Sequence, residues 1–228
     1  MGDSCRFCDG NLVKAGKQKD GTQRYRCKYC EKYQQLEYKS PALSVDTECL
    51  VNIYLEGCGI RSLSRIFGIS PGTVLNKIKM AAKSIQNPLK FKPLSSYEMD
   101  EMYTFIGNKS DETWISYAIE RESKQVVDFV VGSRSKVNLN QIVQKVLSMD
   151  PKRVYTDRLN IYPGIIPKAL HRPTRFMTNT IERLNLTLRT HLKRLSRRTI
   201  CFSKSKELLE ASLRLYFWSR GIMSLRCL

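Results

Sequence analysis

The sequence predicts a multidomain chain: an N-terminal zinc ribbon, a helical helix-turn-helix, and an α/β domain built on a mixed sheet. Three observations predict it. Two Cys-x2-Cys pairs separated by 18 residues stand near the N-terminus, a helical pattern broken by Gly follows, and from Ser96 the apolar period becomes alternating. With 228 residues and 42% hydrophobic content the chain can fill a core, which argues against wholesale disorder. No apolar run approaches the ~18–20 residues of a membrane span, and residues 1–10 hold no signal-peptide core, so a cytoplasmic setting is expected.

Cys5, Cys8, Cys27 and Cys30 form the two pairs. Two residues between paired thiols let both sulfurs of a tight turn reach one tetrahedral ion, and a chain without a leader argues against disulfides. About 40 residues cannot bury enough apolar surface to fold alone, so residues 1–40 are expected to fold around a structural Zn2+. Short strands are expected at 11–14 and 23–27. Cys49, Cys58, Cys201 and Cys227 stand singly and read as small buried hydrophobes.

Residues 41–86 read as the helix-turn-helix, after an extended link at Glu37–Pro41. Asp46 can cap a helix to Leu55, and Ser62 can start a short helix through Phe67, with Gly68 as the turn. Ser70 then caps a longer helix with Pro71 at its first position. Val74, Ile78 and Ala81 or Ala82 form its buried stripe. Thr73, Asn76, Lys77 and Lys79 are left outward as candidate DNA contacts. Residues 87–95 read as a linker.

From 96 to 228 three strands, a helix, a fourth strand and a helical end suggest the α/β domain. Asp100 stands mid-strand among apolar neighbours, where an ionised carboxylate is costly unless paired or bound to metal. Asp157 ends the fourth strand, a usual place for functional residues. Glu182 lies on an amphipathic helix, sharing a stripe with Asn185, Arg189 and Lys193, opposite Ile181, Leu184, Leu188, Leu192 and Leu195. Hard oxygen ligands from Asp100, Asp157 and Glu182 suit two Mg2+ ions, with Mn2+ as an alternative. Glu101, next to Asp100 but on the opposite face, is the lesser candidate. His171 and His191 read as surface or phosphate-contact positions.

Charge supplies the partner. The net charge is +18, with 39 basic residues against 21 acidic. Residues 1–95 hold 16 basic and 8 acidic side chains, 96–170 hold 10 of each, and 171–228 hold 13 and 3. Basic segments flanking a neutral one suggest double-stranded DNA gripped at both ends, with chemistry between. No membrane partner is expected.

The stretches MDEMYTFIG (99–107), YTDRLNIYPGIIPK (155–168) and IERLNLTLRTHLKRLSRRTICFSKS (181–205) resemble transposases of the insertion sequence 1 family. The resemblance implies a ribonuclease-H-like core with an Asp, Asp, Glu triad, matching Asp100, Asp157 and Glu182. It also implies that Arg189 holds terminal DNA phosphate and that ribbon and helix-turn-helix read terminal inverted repeats. The basic run with Lys193, Arg194, Arg197 and Arg198 would grip flanking or target DNA, and at least a dimer would act on two ends. Arg158-Leu159-Asn160 departs from that family's usual pattern after the second acid. A non-catalytic regulator derived from such an enzyme is the alternative.

Overall fold

The computed structural model describes residues 4–36, 44–87, 92–174 and 178–219. The extended link at Glu37–Pro41, linker residues 88–91 and Cys227 lie outside the described residues. The chain divides into two compact units, Met1–Val45 and Asp46–Leu228.

The first unit is a three-stranded antiparallel sheet of β1 (Leu12–Lys17), β2 (Gln23–Cys27) and β3 (Tyr33–Gln34), in that order. Its hairpin turns where Asp20 Oδ1 accepts from Thr22 N–H at 3.0 Å and Gly21 takes φ +82°, a backbone angle that costs glycine nothing.

The second unit begins with three helices. Asp46 caps α1 (Thr47–Leu55) by accepting from Glu48 N–H. α2 (Ile60–Phe67) starts two residues before the expected Ser62, with Gly59 as its N-cap. Gly68, at φ 64°, ends α2 in the left-handed region. α3 (Pro71–Ser84) has Pro71 in its first turn, with the Ser70 side chain accepting from Thr73 N–H. Val74, Ile78 and Ala82 form its buried stripe.

The five-stranded sheet has the order β6-β5-β4-β7-β8. Strands β4 (Ser96–Phe105), β5 (Glu112–Glu120) and β6 (Val126–Gly132) form an antiparallel meander. β7 (Arg153–Thr156) and β8 (His171–Pro173) run parallel to β4, which makes the sheet mixed. Between β6 and β7, α4 (Lys136–Leu147) covers one face, joining Tyr97, Met99, Ala118 and Val154 in a core with Leu139, Ile142, Val143 and Val146.

Because side chains alternate along a strand, Glu98 and Asp100 point to the other face. There α5 (Asn179–His191) and α6 (Lys206–Trp218) lie. The Phe217 ring of α6 sits 5.5 Å from both Tyr117 and Phe129, and Trp218 Nε1 donates to the Val126 carbonyl at 3.2 Å. The N-terminal helices dock on the same α6. Tyr54 Oη and Ser212 Oγ are 2.7 Å apart, and Lys79 Nζ pairs with Glu207 at 2.5 Å.

Some expectations need correction. α5 stops at His191, and Lys193–Leu195 is a separate 3-10 turn, so Lys193 does not continue the α5 stripe. Ser196 Oγ donates to the Arg189 carbonyl at 2.8 Å, satisfying a carbonyl near the helix end that no further turn reaches. β8 is three residues long, too short for a period to reveal. Its His171 is buried, with Nε2 2.8 Å from Thr156 Oγ1, rather than on the surface. Cys49 and Cys201 are exposed and Cys58 is half-buried, so none of these is a core residue.

Candidate metal centre and nucleic-acid interface

In the first unit the four cysteines converge. Their Sγ atoms lie within 4.8 Å of one another, with Cys5 and Cys30 at 3.6 Å and Cys8 and Cys27 at 3.5 Å. A tetrahedral site with ~2.3 Å bonds has edges of about 3.8 Å, so the donor set suits one zinc ion. Cys5 and Cys8 flank one turn; Cys27 closes β2 and Cys30 follows it. The Cys27 thiol is lowered to about 6, chiefly by the N–H of Cys30; burial opposes this and the N–H of Tyr29 assists.

In the second unit the parallel ladder of β4 and β7 ends at Glu98 beside Tyr155. Two residues further along each chain stand Asp100 and Asp157. Carboxylate oxygens of Asp100, Glu101 and Asp157 lie within 4.8 Å of one another. Asp157 is held in the loop after β7, with Leu159 N–H donating to its Oδ1 at 2.9 Å. Asp100 Oδ2 accepts from Asn185 Nδ2 at 2.7 Å, and Tyr117 Oη donates to Asn185 Oδ1 at 2.8 Å. Tyr117 is the direct cross-strand partner of Asp100, so β5 steadies the amide that β4's acid receives.

Glu101 is buried. Arg134 Nη2 donates to its Oε2 at 2.8 Å, and Tyr162 Oη donates to its Oε1. The same Arg134 nitrogen lies 3.4 Å from Asp157 Oδ2, and its guanidinium stacks 4.6 Å from the Trp114 ring centre. Crowded against Asp157, Asp100 and Glu101 resist ionisation. Burial, reinforced by Glu101 and Asp157, raises Asp100 from 3.8 to about 6. Burial also raises Glu101, while Tyr162 and Arg134 oppose the rise. Clustered carboxylates that repel one another until a cation arrives are suited to Mg2+, which favours oxygen ligands.

Glu182 is not part of this group. Its side chain is exposed and accepts from Thr178 Oγ1 at 3.1 Å. The buried Glu98 carboxylate takes the Ile181 N–H at 3.0 Å and Arg121 Nε at 2.8 Å, pinning the first turn of α5 to the sheet. That docking turns Asn185, one turn beyond Glu182, onto Asp100. Sequence reading placed Asn185 on the right stripe but gave it no role. Arg134, Tyr162 and Tyr117 carried no spacing signal that could have found them.

The expected DNA contacts divide. Asn76, Lys193, Arg197 and Arg198 are exposed. Thr73 Oγ1 bonds Ser70 Oγ at 2.9 Å, and Lys77 Nζ donates to Thr47 Oγ1 at 3.0 Å. Three other cations serve the fold instead. Lys79 pairs with Glu207, and Arg189 donates to the carbonyls of Leu195 and Tyr103 at 3.2 and 3.3 Å. Arg194 is 8% exposed and bonds Tyr54 Oη at 2.8 Å and Ser203 Oγ at 3.0 Å. Its burial corrects its expected place on DNA.

Residues 94–220 match the family described as IS1 transposase. The insertion element iso-IS1n protein InsB of Shigella dysenteriae is 34% identical over 113 residues, 50% of this chain and 86% of that protein. The insertion element IS1 4 protein InsB of Escherichia coli (strain K12) is 39% identical over 111 residues, 49% of this chain and 66% of that protein. A simian T-cell lymphotropic virus intasome solved with PP2A regulatory subunit B56 gamma aligns at TM-score 0.40 and 15% identity. That alignment covers 77% of this chain and 68% of that one, a likeness too distant to build on. With its matched region spanning the sheet, the carboxylate cluster and the helices behind it, the chain belongs to the IS1 transposase family.

Proposed function

We propose that the protein is a metal-dependent transposase that binds the terminal inverted repeats of its element, cleaves the ends and joins their 3′-hydroxyls to target DNA. The observation that carries this reading is the convergence of Asp100, Glu101 and Asp157 at the end of the β4–β7 ladder, within a strongly basic chain of this family.

Asp100 and Asp157 would hold two Mg2+ ions, with Glu182, which in this structure accepts from Thr178, as the third ligand. The cations would supply Lewis-acid stabilisation of charge building on the phosphate oxygens. The chain's own residues prepare for them. Asn185, held by Tyr117, keeps Asp100 aimed into the cluster. Arg134 offsets the charge of Glu101 and Asp157, and with Tyr162 it would keep Glu101 committed to the protein when Asp100 and Asp157 hold the cations. The four cysteines would hold structural Zn2+ in a ribbon. α2, the Gly68 turn and α3 would act as a helix-turn-helix, with Asn76 reaching bases and Lys77 phosphate. Arg197 and Arg198 would track the backbone, a salt-sensitive contact.

The test is strand cleavage and joining on labelled DNA carrying the element's own ends, with Mg2+ or with EDTA. Mg2+-dependent nicks at the ends followed by joined products are expected, and Asp157→Asn should abolish both while end binding persists. Tight end-specific binding with no cutting by the wild-type protein would instead establish a DNA-binding regulator.

A further inference from the structure

A cavity of about 590 Å³ lies in the second unit, away from the carboxylates. Its walls come from three places: the α1–α2 junction with the start of α3, the residues following α5, and the segment leading into α6. The size falls in the roughly 300–1,000 Å³ range of small-ligand sites.

Its chemistry has two parts. Arg61, Lys193 and Lys204 stand on its rim, all exposed, and none has an ion-pair partner among the described residues. No acidic residue lines it. The first turn of α2 also opens onto it, and Gly59, the N-cap, has no side chain to occupy those amides. The interior is apolar, with the half-buried Leu75 and Phe202 exposing carbon over the buried Leu192, and Phe202 is fixed 5.0 Å from the Phe105 ring. Cations around an apolar interior match a phosphate joined to a planar base.

We infer that this cavity takes one unstacked nucleotide of the DNA strand, its base against Leu75 and Phe202 and its phosphate between Arg61 and Lys204. The inference rests on the transposase reading and adds a subsite to it. Leu192 follows α5 by one residue and lies seven residues beyond Asn185, about 10 Å along the chain at helical rise. At roughly 3.4 Å per stacked nucleotide, the span from Asn185 to the cavity wall at Leu192 corresponds to about three steps of the strand. Extruding a base near a DNA end costs little where pairing is already frayed.

The experiment uses the full chain and end DNA carrying 2-aminopurine singly at each of the first six positions from the cleavage point. Binding, cleavage and fluorescence are followed together. A fluorescence rise confined to one position near the third is expected. Arg61→Ala with Lys204→Ala, both at exposed sites, should remove that rise. The pair should also lower end affinity at least about fivefold and reduce the salt slope of binding by one to two. Binding and cleavage with no position brightening, or a rise unchanged in the double variant, would overturn the subsite and leave the transposase reading standing. Absence of any end binding would overturn both.

Discussion

Replacing Asp100 by Asn should make the metal-free protein more stable while abolishing cleavage. Its carboxyl is held at about 6 against an ordinary 3.8, mainly by burial. That difference of about two units corresponds to a cost of about 3 kcal/mol for keeping the folded carboxylate ionised at pH 7.5. Asn185 Nδ2 still finds an acceptor in the new amide, and the amide's own N–H groups face Glu101 and Asp157 instead of repelling them. A gain of about 1–3 kcal/mol is therefore expected. At roughly 2–4 °C per kcal/mol for a chain of this size, Tm rises by about 2–12 °C. The sign follows from the folded carboxyl binding its proton more tightly than the unfolded one. The penalty is absent below about pH 3.8, grows between 3.8 and 6, and is complete above 6. Calorimetry in EDTA at pH 7.5, 6.0 and 4.5 should thus show the variant's advantage shrinking as pH falls. Mg2+ should raise the wild-type Tm and leave that of the variant unmoved. An Asp100→Asn protein no more stable than wild type at pH 7.5, or equally advantaged at every pH, would refute a carboxylate strained by burial and its neighbours.

Other consequences can be checked separately. Cys27→Ser should release zinc and lose end recognition, measured by metal content and gel shift; full zinc occupancy would contradict the four-thiolate site. Asn185→Ala leaves Asp100 unsupported and should weaken Mg2+ binding about 10- to 100-fold by calorimetric titration, as loss of a ligand's outer partner does. Asn185→Gln should not restore it, because the longer amide cannot meet both Tyr117 and Asp100. Arg194→Ala should cost about 1.5–3 kcal/mol in urea unfolding, since it strands the buried hydroxyl of Ser203 and removes one of the two partners of Tyr54 Oη, which keeps Ser212. The salt slope of DNA binding should stay unchanged in that variant, whereas a slope lowered by about one would place Arg194 on phosphate after all.

Much of this protein was legible in its residues because the signals are local. Capping at Asp46 and Ser70, the Pro71 start and the Gly68 turn depend on a few neighbouring backbone groups, so spacing alone reveals them. The alternation of β4 likewise put Asp100 and Glu101 on opposite faces before any packing was known. Two Cys-x2-Cys turns predicted a thiolate cluster for the same reason. What sequence could not contain was where elements meet. Alternation separates Asp100 from Glu101, yet the divergence of β4 and β7 past Tyr155 lets Asp157 approach both. The roll of α5 on the sheet is set by Glu98 bonding the Ile181 N–H, and it presents Asn185 rather than Glu182 to Asp100. Arg194 and Arg197 look alike in a basic run, but Tyr54 of α1 and Ser203 ahead of α6 hold only the first. Composition and short-range periodicity determined most of the elements and pointed to an anionic partner, while ends such as that of α5 and the short β8 depended on packing. Tertiary packing decided which charges remain for that partner, because burying a cation commits it to the fold.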